Sequence, residues 1–243
     1  MATVLLLGAT SDMSLALADY YAKNGDHLIL AARSDEKLAL IAKDLKVRFE
    51  SAVETVVFDA TDFDSHQHFY NSLSKKPDVA ICVFGYLGEQ EKAQQNWDES
   101  KRIIDSNYTG AVSILNIIAN DMEARKQGSI VGISSVAGER GRMTNYIYGS
   151  AKAGFTAYLS GLRNRLCKSG VHVMTVKPGF VATKMTEGLD LPGPLTANPK
   201  DVQKAIVNGL KSEKNTLYVM GRWRLVMFII RSIPEFIFKK LSL

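Results

Sequence analysis

The chain has 243 residues, 46% of them hydrophobic and 23% charged, which suits one α/β domain with a substantial core and excludes a disordered or fibrous protein. No internal repeat of about 20–50 residues occurs, so a solenoid or propeller is excluded as well. The net charge of +5 is local in origin, because Arg222, Arg224, Arg231, Lys239 and Lys240 near the C-terminus face a single acid there, Glu235; the remainder is almost neutral and lacks the basic face that nucleic acid requires.

Residues 1–7 run directly into an apolar strand with no charged leader or cleavage site, so no secretory signal is expected. Strand 3–7 ends at Gly8-Ala9-Thr10-Ser11-Asp12-Met13-Ser14, and a helix is expected over about 14–23. A turn between a first strand and a helix N-terminus favours phosphate. At the spacing Gly-x-x-x-Gly-x-Gly, however, Gly8 is kept while Asp12 and Ser14 replace the other two glycines. Asp12 is a candidate helix cap, and its charge is unhelpful to a pyrophosphate unless it points away.

Strand 27–32 follows and ends at Arg33-Ser34. An acid at this point would bond a ribose 2′-hydroxyl, whereas a guanidinium and a hydroxyl suit a 2′-phosphate. NADP(H) is therefore favoured over NAD(H) if the turn is a dinucleotide site. A helix over about 36–46 and strands at 55–58, 79–84, 129–133, 171–176 and 217–220 continue the alternation. Short apolar strands of this kind are buried on both faces, and their spacing predicts a Rossmann-like, doubly wound parallel sheet in a single α/β domain over 1–221. Residues 183–198, rich in Gly and Pro, read as a mobile loop ending at Asn198-Pro199, a helix start. Cys82 and Cys167 stand apart, without metal-ligand spacing, so no metal site or disulfide is expected and a cytoplasmic setting is natural.

Tyr148 and Lys152 are four apart and share one face of a helix. An ammonium near a phenol favours the phenolate and brings it into the range of acid–base work. Ser135 precedes Tyr148 by thirteen residues, at the carboxyl end of a strand, where open α/β sheets place ligand chemistry.

With Ile133-Ser134-Ser135-x-x-Gly138, Tyr148-x-x-x-Lys152 and Pro178-Gly179, the chain from about residue 3 to 221 resembles the short-chain dehydrogenase/reductases. The resemblance implies that Ser135 polarises a carbonyl, Tyr148 transfers the proton, and Lys152 lowers the tyrosine pKa and binds the nicotinamide ribose. It implies further that Asn107 kinks a helix and holds a relay water, that Asp59 and Ala60 border adenine, and that Gly85, Pro178, Gly179, Val181 and Thr183 border the cofactor. It also implies a homo-oligomer. The family's Asn-Asn-Ala-Gly is here Cys82-Val83-Phe84-Gly85, which puts local geometry in question more than reaction type.

Phe84-Gly85-Tyr86-Leu87-Gly88, Ala137-Gly138-Glu139-Arg140 and, within the tail over 222–243, Arg231-Ser232-Ile233-Pro234 with Ile237-Phe238-Lys239-Lys240-Leu241 resemble a subgroup that reduces a polyprenyl-phosphate-linked 2-keto-pentose beside a flavin oxidase. The tail is apolar, aromatic and basic, too short in its apolar runs to span a bilayer. It fits either a peripheral contact on the inner face of a membrane or burial in the core or an oligomer interface. A soluble 3-oxoacyl or small-ketone reductase is the enzymatic alternative. A non-catalytic dinucleotide sensor or scaffold stays open on the strength of Asp12, Ser14 and Cys82.

Overall fold

Every position of β1 (Thr3–Leu7) is buried, the pattern of a strand covered on both faces. The computed structural model describes residues 1–241. It continues through α1 (Asp12–Lys23), β2 (His27–Ala32), α2 (Asp35–Phe49), β3 (Val53–Val57), α3 (His66–Ser72), β4 (Val79–Cys82), α4 (Gln90–Ala93) and α5 (Trp97–Ile104). A π-helical turn, Asp105–Thr109, leads into α6 (Gly110–Arg125), β5 (Ser129–Ile133), α7 (Tyr146–Leu166) and β6 (His172–Lys177). Two short strands, β7 (Phe180–Val181) and β8 (Thr196–Ala197), precede α8 (Pro199–Lys211), β9 (Thr216–Tyr218), α9 (Arg222–Ser232) and α10 (Glu235–Phe238).

The main sheet runs β3-β2-β1-β4-β5-β6-β9, parallel at every pairing. Because successive strand residues face opposite sides, Leu5 joins Ile114 of α6 and Leu159 of α7 in one apolar layer. Leu6 joins Leu17 of α1, Leu38 of α2 and Val202 of α8 in the other. Strand order reverses between β1 and β4, and at such a switch point the carboxyl ends of the strands part into a crevice.

Three local expectations are corrected. The cap of α1 is Ser11, whose Oγ accepts from Ser14 N at 3.2 Å, so Asp12 falls in the first turn, where its charge complements the helix dipole. β4 stops at Cys82 because Val83 N and Phe84 N both donate to Leu7 O, at 2.9 and 3.2 Å, which turns the chain off the ladder. Residues 183–198 form more than a loop, since β8 pairs with β7. Asn198 caps α8 as expected, in a reciprocal pair with Asp201.

Candidate active site

The switch-point crevice opens into one groove with two parts. The first is bounded by Gly8, Thr10, Ser11, Asp12 and Met13 after β1, by Arg33 after β2, and by Asp59 and Ala60 after β3. Gly8 has a φ of +90°, and a Cβ there would stand 2.7 Å from Phe84 N, so no other residue fits without strain. Where the glycine pattern is broken, Ser14 Oγ donates to Gly8 O at 2.9 Å and Ser11 Oγ donates to Ser14 Oγ at 3.0 Å. Hydroxyls thus close the turn. The Asp12 carboxylate accepts from Lys184 N at 2.8 Å, tying α1 to the segment after β7.

Arg33 is exposed at the rim. Across from it, partial burial works to raise the Asp59 pKa, but hydrogen bonds from Thr61 and the nearby Arg33 and His66 prevail and hold it below its ordinary value. Ser34, expected beside Arg33 as a cofactor residue, caps α2, its Oγ accepting from Lys37 N at 3.3 Å, and it lies next to the groove wall that Arg33 forms.

The second part is a cavity of about 580 Å³, within the usual range for small-ligand sites. Ser135, Tyr148, Lys152, Pro178, Gly179, Val181 and Thr183 all line it. Met13, Val83, Gly85 and Thr183 border both parts, so the two run into each other. A two-part ligand such as a dinucleotide fits this length of groove, with the Arg33 guanidinium at one end and the Ser135–Tyr148 pair at the other.

Tyr148 and Lys152 sit one turn apart on α7. The Lys152 ammonium is buried, donates to Ile133 O at 3.0 Å and lies 5.8 Å from the centre of the Tyr148 ring. Burial pushes the Tyr148 phenol up to about 12, against a hydrogen bond with Ser135 that lowers it. Burial likewise pushes Lys152 down to about 8, with Cys82 acting the other way. The expected lowering of the phenol by its ammonium is not seen: desolvation dominates, and the hydrogen bond that opposes it comes from Ser135. Asn107, in the π-turn, lies behind the cavity wall: its Nδ2 donates to Tyr86 O and Ile103 O at 2.6 and 2.8 Å, and its Oδ1 accepts from Tyr86 N at 3.2 Å. Cys82 and Val83, which replace two asparagines at the end of β4, are both buried, and burial pushes the Cys82 thiol up to about 12.

A family model described as short chain dehydrogenase matches residues 2–191. The chain belongs to that family. It is accordingly an NAD(P)-dependent oxidoreductase. An uncharacterized oxidoreductase of Mycobacterium tuberculosis is 35% identical over 243 residues, covering 99% of this chain and 97% of the relative. One from Streptomyces coelicolor is 36% identical over 242 residues, covering 98% and 95%. Among solved structures, a short-chain dehydrogenase from Sphingobium yanoikuyae in complex with NADPH shares the fold at a TM-score of 0.82 and 24% identity, over 97% of each chain.

As a short-chain dehydrogenase the chain has several cavity residues that its motifs do not mark. Trp223 of α9 is 3% exposed, its Nε1 donates to Leu195 O at 3.0 Å, and a Cβ on Gly179 would collide with its indole. The inner face of the supposed tail is thus cavity wall. Arg140 fastens it, with Nη1 donating to Ile230 O and Ile233 O at 2.7 and 2.6 Å. Gln90, Arg142 and Asn145 also line the cavity; their only sequence signal is that Arg142 and Asn145 fall between Ser135 and Tyr148.

Proposed function

We propose that this chain reduces a ketone to a secondary alcohol with NADPH, and that the ketone is a polyprenyl-phosphate-linked keto-sugar met at a membrane surface. The observation that best supports this reading is the two-sidedness of α9. Inward, Trp223 walls the cavity that holds Ser135 and Tyr148. Outward, Leu225, Phe228 and Ile229 are exposed, with Phe236 and Ile237 of α10 continuing the apolar surface beside Arg224 and Arg231. Such a face suits the boundary between headgroups and acyl chains, with the arginines on anionic lipid. Among the described residues no helix is long and apolar enough to cross a membrane. The tail's resemblance to the lipid-linked keto-pentose reductases supports the same substrate class, with a flavin oxidase as partner and a peripheral place on the cytoplasmic face.

When bound, the nicotinamide supplies a hydride to the carbonyl carbon. The protein's task is the carbonyl oxygen. Ser135 donates a hydrogen bond to it, and Tyr148 donates the proton as charge develops there. The phenol, pushed up from its ordinary value by burial, is protonated at neutral pH, which is the form an acid must have. Lys152, still mostly charged at pH 7 with its pKa near 8, favours the phenolate left behind. In the opposite direction the phenolate of Tyr148 takes the proton from the alcohol. Arg33 takes the 2′-phosphate through forked, charge-assisted hydrogen bonds.

Co-sedimentation with vesicles tests the membrane part. The protein is expected to pellet with phosphatidylglycerol vesicles and not with phosphatidylcholine alone. A Phe228→Ser, Ile229→Ser variant should stay in solution with its activity on a water-soluble ketone unchanged. Wild-type protein that ignores both vesicles would favour a soluble 3-oxoacyl or small-ketone reductase.

A further inference from the structure

Buried polar atoms nearly always find partners, so those without one point to a group supplied from elsewhere. Among the described residues five buried side-chain atoms lack a hydrogen-bond partner: His27 Nδ1, Glu139 Oε2 (which has an ion pair with Arg231), Gln90 Nε2, Arg142 Nε and Asn145 Oδ1. The last three belong to residues that line the catalytic cavity with Ser135 and Tyr148. They come from two places in the fold, the first residue of α4 and the turn that enters α7. Gln90 is anchored there, since its Oε1 accepts from Ile147 N at 3.1 Å, leaving the amide nitrogen unused. The main chain of Asn145 accepts from Gly149 N at 2.7 Å, leaving its side-chain oxygen unused.

Two cationic residues line the cavity, Lys152, whose ammonium donates to Ile133 O, and Arg142. None of the ion pairs among the described residues includes it. Burial lowers its pKa, and no carboxylate acts on it in compensation. A part-buried cation without an anion is unfavourable unless something neutralises it. Its planar fork matches the oxygens of a phosphate or carboxylate.

We infer that Arg142, with Gln90 and Asn145, forms an anion-selective substrate subsite: the guanidinium takes an oxyanion carried by the ketone, and the two amides take neighbouring hydroxyls. This rests on the reading that the cavity holds the ketone. A phosphorylated keto-sugar uses all three groups, because its ester supplies the anion and its ring the hydroxyls. Arg142 then sets specificity, not chemistry. It distinguishes charged from neutral ketones in the same cavity.

The test is calorimetric titration into protein saturated with NADP⁺, which reads binding without turnover. Two matched pairs are used: ribulose 5-phosphate against ribulose, and 4-oxopentanoate against 2-pentanone. Wild type is expected to prefer at least one charged member by roughly 10- to 100-fold, the range of a charge-assisted pair. The pair that discriminates identifies the oxyanion as phosphate or carboxylate. In Arg142→Met the preference should vanish while the neutral member binds as before, and Arg142→Lys should keep part of it. NADP⁺ affinity, unchanged in both variants, serves as the check on folding. No preference in wild type for either pair overturns the inference, as does a preference that survives Arg142→Met. If the preference behaves as expected but NADPH reduces none of the ketones, the subsite stands and the reductase reading is the one that fails.

Discussion

In one half of the groove the groups on offer are side chains, Ser135 after β5 with Tyr148 and Lys152 on α7, and they stand at the spacing the sequence announces. In the cofactor half the wall after β1 keeps one glycine, Gly8, and closes with the hydroxyls of Ser11 and Ser14. The end of β4 likewise trades asparagines for Cys82 and Val83. The difference follows from what each half must present. Proton transfer needs a particular side chain at a particular place. A phosphate cradle needs a backbone path, and several side chains can hold the same path.

The sharpest way to break this comparison is Tyr148→Phe. Reductase turnover should fall by about 10³-fold, within the span of general acid catalysis, while NADPH affinity changes less than about twofold. If affinity falls as far as turnover, the phenol holds the cofactor and the division between the halves is wrong.

A smaller effect concerns Lys152, whose pKa is lowered from 10.5 to about 8 in the fold. The unfolded chain binds more protons than the native one between those values, so stability rises with pH across that window. From about pH 7 to about pH 10 the cost of the buried charge should shrink by roughly 2 kcal/mol. Urea unfolding of wild type and Lys152→Met should show the variant's relative stability declining by that amount as pH rises. A difference independent of pH would mean the ammonium is not desolvated.

The smallest effect is expected from Ser14→Ala, which removes the hydroxyl closing the Gly8 turn. One hydrogen bond contributes about 1 kcal/mol, so unfolding should show a loss of that size and NADPH affinity a decline of a few fold. Turnover at saturating NADPH should be unaffected. A large loss of turnover would show that the turn positions the reaction as well as the phosphate.

Much of this was legible in the sequence, and what was not has a common cause. β1, β2 and β5 lie where the apolar runs place them, because a strand buried on both faces leaves an uninterrupted apolar segment. Ser135, Tyr148 and Lys152 were legible because their spacing is itself the motif. Asp12 could not be placed, since its partner Lys184 N is 172 residues away. The raised Tyr148 pKa was hidden for the same reason: spacing along a helix reveals the ammonium but not the desolvation of the phenol. An apolar and basic tail reads alike whether one face or both are covered, and only packing shows Trp223 and Met227 buried while Phe228 is bare. Arg142 belongs to no motif at all.

The most direct measurement is a fluorescence titration of NADPH and NADH into wild type and Arg33→Ala. NADPH should bind wild type at least about tenfold more tightly than NADH, as a charge-assisted contact to the 2′-phosphate requires. Arg33→Ala should remove that preference by weakening NADPH alone. Equal affinity for the two cofactors, or a preference that survives Arg33→Ala, would contradict the account of the cofactor half. Failure to bind either would contradict the reductase as a whole.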